Sequence, residues 1–385
     1  MNRAAGDCTT VDPSRLAPDT LCMGAASTNS PGNPPWALAA GPVGLAAALA
    51  SLYSLGPAGI AAAAVVLFAC VFAAVHHAEL VAHRVGEPLG TLVLAVAVTI
   101  IEVAVILSLM LGGSEAAQTL ARDTVFAAVM IIINGIIGIS LLLGAARYHE
   151  QQVGSLGARS ALATLTALAV LTLVLPNFTT SVAGPVYSSG QLAFVAMCAL
   201  VLYGTFLLVQ TVRHRDYFLP PAHAGEEDHA APPTAAAARM SFLMLCVALL
   251  AVVLLAKGLS EPLEVAIKQA RLPLSVVGVA LAAMVLLPEG LAALRAARRN
   301  RLQTSINLAL GSALATIGLT IPAVAVAALL LDLPLAMGLD PKSIVLLALS
   351  IYVAALSLAG GRTTVLQGVV HLVILGVYLL VTIIP

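Results

Sequence analysis

Long apolar runs follow one another through almost the whole chain, each close to the length of a bilayer-crossing helix. Between charges and breakers they fall near 36–55, 58–82, 88–112, 124–146, 160–176, 190–212, 240–260, 273–294, 303–331, 342–359 and 363–384. A helix of about 20 apolar residues spans the hydrocarbon core and satisfies its backbone internally. Membrane β-strands need only about 9–11 alternating residues, and these runs are longer. The chain is 60% hydrophobic and 9% charged, with a mean hydropathy of +1.03. Soluble domains carry about 25% charged residues. The expected fold is an all-α integral membrane protein with about 11 transmembrane helices.

Charge and cysteine usage narrow the class. The formal net charge is zero, which argues against a nucleic-acid partner; the expected partners are inorganic cations and the lipid bilayer. The cysteines Cys8, Cys22, Cys70, Cys198 and Cys246 show no CxxC spacing. They imply neither a disulfide nor a metal site. Residues 1–35 are polar and rich in Pro, Gly and Ser, and read as a disordered tail. Of 18 Lys and Arg residues, all but Arg122, Lys257, Lys268, Arg271 and Lys342 fall on one face when the loops alternate. Positive loops stay in the cytoplasm, so the N-terminus is expected there and the C-terminus outside.

The longest internal loop, 213–239, carries Glu226, Glu227 and Asp228 between His223 and His229. It reads as a solvated linker or a cation-attracting cytoplasmic patch. It divides the chain into a first transmembrane helix at 36–57, five helices at 58–212, and five more at 240–385. Five is odd, so the second group inserts upside down relative to the first. That layout, one helix plus two inverted five-helix repeats, is a transporter layout with its site at the midplane between repeats.

A lone glutamate sits mid-membrane in the second helix of each group: Glu102 in TIIEVAV and Glu289 in LLPEGLA. Ionisable residues at that depth are costly and mark ion or proton pathways. The next helix of each group contains Asn-x3-Gly, from Asn134 in NGIIGIS and from Asn307 in NLALGSA. Carboxylate, amide and hydroxyl oxygens suit a hard divalent cation, so Asn134, Asn307, Ser305 and Ser312 join Glu102 and Glu289 as candidate ligands. Pro288 frees a backbone carbonyl about one turn earlier, and Thr99 offers a hydroxyl one turn before Glu102. The matching place before Glu289 is Leu286, so the half-sites differ. A carboxylate pair that takes either protons or a cation is the simplest cation/proton antiport device.

A second polar cluster lies in HHAELVAHRVGEPLG. His76, Glu79 and His83 share one helical face, with His77 and Glu87 beside them. His77, Glu79, His83 and Glu87 read as a proton relay or cation vestibule. The other readings are an intramembrane metalloenzyme site and an ordinary interfacial helix end. His371 is the remaining histidine inside a span, and its spacing points to a packed or hydrogen-bonded residue.

Three strings, HHAELVAHRVGEPLGTLVLAVAVTIIEV, LLPEGLAALRAARRNRLQTSINLALGSALATIGLTIPAV and GRTTVLQGVVHLVILGVYLL, closely resemble bacterial calcium/proton antiporters of the cation-exchanger branch of the Ca²⁺:cation antiporter superfamily. The resemblance runs from about residue 60 to the end. It implies eleven helices in a bacterial inner membrane and exchange of cytoplasmic Ca²⁺ for external protons; some members exchange Na⁺ or K⁺. It implies transported ions and no resident cofactor. By position, Glu102 and Glu289 match the family's paired glutamates. The wider superfamily's Gly-Asn before each glutamate is replaced here by Val98-Thr99 and Val285-Leu286. No P-loop is present, so an ion gradient must drive transport.

Overall fold

The computed structural model describes residues 33–50, 56–86, 89–111, 117–218 and 233–385. Helix α1 is Pro35–Ala50. Five rods precede residue 218. They are α2 (Pro57–Val85), α3 (Leu89–Met110), α4 (Ala117–Met130) joined through a π turn at Ile131–Ile136 to α5 (Ile137–Tyr148), α6 (Ser155–Ala169), and α7 (Ser189–Leu208). Five follow residue 233. They are α8 (Ala235–Gln269), α9 (Ser275–Arg298), α10 (Leu302–Ala315) joined through a π turn at Thr316–Thr320 to α11 (Ile321–Leu331), α12 (Pro341–Ala359) and α13 (Val365–Ile383).

Among the described residues, 10 helices are long and apolar enough to cross a membrane. Helix α1 has 16 residues, and 51–55 lie outside the described residues. Every expected span is a helix. Helix α8 runs further than the expected 240–260 because a helix need not stop where the bilayer does; its last turns carry Lys257 and Glu261. The expected tail and acidic loop fall largely outside the described residues.

Helix ends follow local chemistry. Ser188 with Gln191 and Thr364 with Gln367 form capping boxes that start α7 and α13, satisfying amides that have no intrahelical partner. Asp340 accepts from the Ser343 amide at 3.0 Å, with Pro341 opening α12. Gly86 takes a φ of +76° after α2, a conformation that costs glycine little.

Small residues let the rods approach closely. A side chain on Gly44 would collide with Cys70 Sγ and Ala251, which holds α1 against α2 and α8. Gly138 and Gly368 do the same for α5 and α13. A two-residue antiparallel ladder pairs Gln151 with Thr363 and Gln152 with Arg362. At the other end of the bundle, the segment 333–339 is pinned from three sides. Ala336 N donates to Gln118 O at 2.8 Å, Gly338 N to Pro185 O at 3.0 Å and Leu339 N to Leu173 O at 2.8 Å. Arg122 Nη1 adds a bond to Gly338 O at 3.0 Å.

Candidate cation-exchange site

Helix α3 carries Glu102 into the interior, where it is 4% exposed. Thr320 Oγ1 donates to Glu102 Oε2 at 2.6 Å, and Thr316 is a further hydrogen-bonding partner. Both threonines lie in the π turn between α10 and α11. A π turn widens the helix locally and recurs at functional sites.

Helix α9 carries Glu289, which is half-buried. It accepts a hydrogen bond from Ser312 Oγ on α10. Ser312, Thr316 and Thr320 are spaced four apart, so they form one ladder of hydroxyls on one side of one rod. The ladder touches Glu289 at one end and Glu102 at the other. The charge of Glu289 reaches Glu102. Sequence reasoning named Ser312 but missed Thr316 and Thr320. The four-residue spacing in SALATIGLT was the available signal.

The helix around each carboxylate packs on a π turn from the other group of helices. Glu102 bonds to the turn at Thr316–Thr320. The residue after Glu289 is Gly290, and a side chain there would meet Ile136 Cδ1 at 3.2 Å, within the turn at Ile131–Ile136.

The remaining candidates divide. Thr99 is 8% exposed, one turn before Glu102 on α3. Ser305 bonds Ser140 Oγ at 2.9 Å, tying α10 to α5. The structure does not set the two asparagines at matching heights. Asn134 lies in the π turn midway along its rod and uses its amide on Ser350, at 2.8 Å, and on His371, at 3.1 Å. Asn307 lies in the first two turns of α10, where it accepts from Gln303 at 2.9 Å and donates to Phe218 O at 2.5 Å. None of these bonds reaches either carboxylate.

Pro288 does not break its helix: α9 runs through it unbroken. Proline has no N–H, so the usual bond to Met284 O cannot form.

The vestibule candidates also separate. His77 is fully buried, with Nε2 at 3.1 Å from Ala37 O of α1. Glu79 is exposed on the other side of α2, within electrostatic reach of Arg295 and Glu289. His83 is exposed near the end of α2, and Glu87 lies outside the described residues. His76 packs against Trp36, with ring centroids 5.6 Å apart. Among the described residues, no three His, Cys, Asp or Glu side chains gather to hold a metal.

A family model described as "Sodium/calcium exchanger protein" matches residues 55–212 and 240–384. The chain belongs to the sodium/calcium exchanger family. This exchanger is 52% identical over 324 residues to the putative ionic transporter y4hA of Sinorhizobium fredii, covering 83% of this chain and 87% of that protein. It is 35% identical over 317 residues to the sodium-potassium/proton antiporter ChaA of Escherichia coli, covering 82% and 86%. Its fold is similar to that of native YfkE, with a TM-score of 0.69 at 15% identity over 91% of this chain and 99% of that one. It is also similar to the H⁺/Ca²⁺ exchanger CAX, with a TM-score of 0.68 at 14% identity over 89% and 87%. The family and fold are those of multi-pass membrane transporters of inorganic cations, which removes the metalloenzyme reading.

Proposed function

We propose that this exchanger is a secondary antiporter of the bacterial inner membrane that moves cytoplasmic Ca²⁺ outward in return for protons by alternating access. The observation that carries the reading is the pair Glu102 and Glu289, joined by the Ser312–Thr316–Thr320 ladder inside apolar helices. Four carboxylate oxygens and three hydroxyls offer a hard-oxygen set of the size Ca²⁺ takes, about 6–8. Either two protons or one divalent ion neutralises the pair. A bare pair in the occluded site carries a large desolvation cost, so the loaded and protonated forms cross and the empty ionised form does not. That rule couples the two fluxes.

The partly exposed Glu289, the exposed Glu79 and the pinned segment 333–339 support an inward-open arrangement. The cytoplasmic mouth then lies where α2 and α9 end, at Val85 and Arg298. This agrees with the Lys/Arg bias and a cytoplasmic N-terminus. A second reading, Na⁺ or K⁺ exchange for protons, is favoured by the likeness to ChaA. Two full carboxylates favour the divalent ion.

The test is proton flux in inverted membrane vesicles, with a pH-sensitive dye and an acid interior. Micromolar Ca²⁺ should dissipate the gradient in wild type. Glu102→Gln and Glu289→Gln should each abolish this while the protein still inserts. A response to Na⁺ or K⁺ alone moves the assignment to the monovalent reading. Exchange surviving in either variant would sink the paired-carboxylate mechanism.

A further inference from the structure

His371 is fully buried in α13 and lies outside the proposed exchange site. Its Nδ1 is 3.1 Å from Asn134 Oδ1. Asn134 Nδ2 donates to Ser350 Oγ at 2.8 Å, and Ser350 Oγ donates to Leu346 O at 2.7 Å. The direction of this chain is fixed from its far end. The Leu346 carbonyl and Met130 Sδ, 3.5 Å from Ser350 Oγ, can only accept, so the Ser350 proton points to one of these. Ser350 therefore accepts from Asn134, which leaves the amide oxygen facing the ring, so the hydrogen sits on His371 Nδ1.

The residue this chain holds is at a mechanically special place. Asn134 belongs to the π turn at Ile131–Ile136. That turn packs against α9 at Gly290, immediately after Glu289, through Ile136. A π turn gives up the regular i→i+4 ladder, so it depends on neighbours for its shape. The π turn at Thr316–Thr320 shows the same arrangement. Its Thr320 faces Glu102, and Tyr203 of α7 fills the space beside Gly318 on the far side. Glu102 thus faces one π turn and Gly290, beside Glu289, packs on another, and each turn is braced from behind by a helix. On the Glu289 side the brace is polar, and its first member is His371.

We propose that His371 is a positioning residue for ion exchange: through Asn134 it fixes the π turn on which the Glu289 half-site rests. The inference rests on the reading of Glu289 as an exchange carboxylate for its effect on transport. Its structural half stands without that reading. Packing alone would accept any apolar side chain of similar size at 371. A positioning role requires the Nδ1 hydrogen.

Two substitutions separate these. His371→Leu keeps bulk and deletes the donor. His371→Asn puts an amide N–H near the place of Nδ1. In the vesicle assay, His371→Leu should raise the half-saturating Ca²⁺ concentration about tenfold, the scale of one buried hydrogen bond, and His371→Asn should recover most of that loss. Asn134→Ala should match His371→Leu, and the double variant should be no worse than either, because they break one chain. Hydrogen–deuterium exchange on purified protein gives a readout that needs no transport. The segment 131–140 should exchange faster in His371→Leu, return towards wild type in His371→Asn, and leave 316–325 unchanged. If His371→Leu matches wild type in exchange protection and half-saturation, the proposal is wrong. If His371→Asn is as impaired as His371→Leu in a folded protein, the donor role is wrong. Wild-type vesicles inert to every cation would count against the antiport reading, and the exchange-protection pattern would still decide the role of His371.

Discussion

Substituting Gly368 by alanine tests the closest helix contact behind the site. An added Cβ at Gly368 would lie 2.6 Å from Leu142 N, 2.9 Å from Gly138 O and 2.9 Å from Leu142 Cα. All three are backbone atoms of α5, so no side chain can rotate away. Carbon contacts are comfortable near 3.5–4.0 Å, so α13 must withdraw by roughly 1 Å, and a gap of that size forfeits up to about half of each facing contact. Overpacking of this kind costs about 1–3 kcal/mol. At roughly 2–4 °C per kcal/mol in a large chain, Gly368→Ala should lower the apparent melting temperature by roughly 2–12 °C. The same helix supplies the control. Gly376 is exposed and a Cβ there meets nothing within 4 Å, so Gly376→Ala should be neutral, or stabilising by up to about 1 kcal/mol through helix propensity. The assay is thermal aggregation of detergent-purified protein followed by size-exclusion chromatography, at one heating rate because unfolding of such proteins is irreversible. A Gly368→Ala protein that melts at or above wild type would refute the close-approach argument. So would an equal loss at Gly376.

Four further outcomes follow from the same contacts. Thr320→Val keeps the shape and deletes the donor to Glu102, and should lower the Ca²⁺-driven exchange rate about tenfold, the lower end for a hydrogen bond to a charged group; an unchanged rate removes Thr320 from the site. Asn307→Ala should leave half-saturating Ca²⁺ unchanged while lowering stability by about 1 kcal/mol through the lost bond to Phe218, measured as a lower melting temperature; a loss of affinity would return Asn307 to the ligand set. Arg122→Ala breaks the bond to Gly338 O and the pair with Asp123 at 2.8 Å. It should speed thiol labelling of a cysteine placed at Met337, and no change would mean the backbone bonds alone close that end. In the loop before α7, Tyr187 donates to Leu171 O at 2.6 Å, and burial pushes its pKa up from 10.0 to about 12. The folded state thus favours the neutral phenol, so this contribution is complete below pH 10 and is lost as pH rises towards 12. Tyr187→Phe should flatten that limb of the stability profile, and an unaltered limb would exclude Tyr187 as its source.

The helices and the depth of Glu102 and Glu289 were legible in the sequence. A bilayer demands about 20 apolar residues per crossing, and a charge within such a run stands out against them. The ends of helices were less legible, since α8 continues past its apolar stretch to Gln269. The partners of the carboxylates were legible only in part. Ser312 stood in a string already under suspicion, while Thr316 and Thr320 needed the π turn to bring them to Glu102.

The sequence by itself determined a membrane-embedded helical bundle with two carboxylates inside it, because hydrophobic length and the cost of buried charge are properties of short segments. Tertiary structure alone decided what surrounds those carboxylates. Asn134 and Asn307 look alike along the chain, yet one is clasped by His371 and Ser350 and the other holds Phe218. His77 and Glu79 are two residues apart, yet one is buried against α1 and the other opens towards Glu289. A polar group inside a bilayer must find a partner, and which partner it finds depends on segments from 40 to more than 200 residues away in the chain.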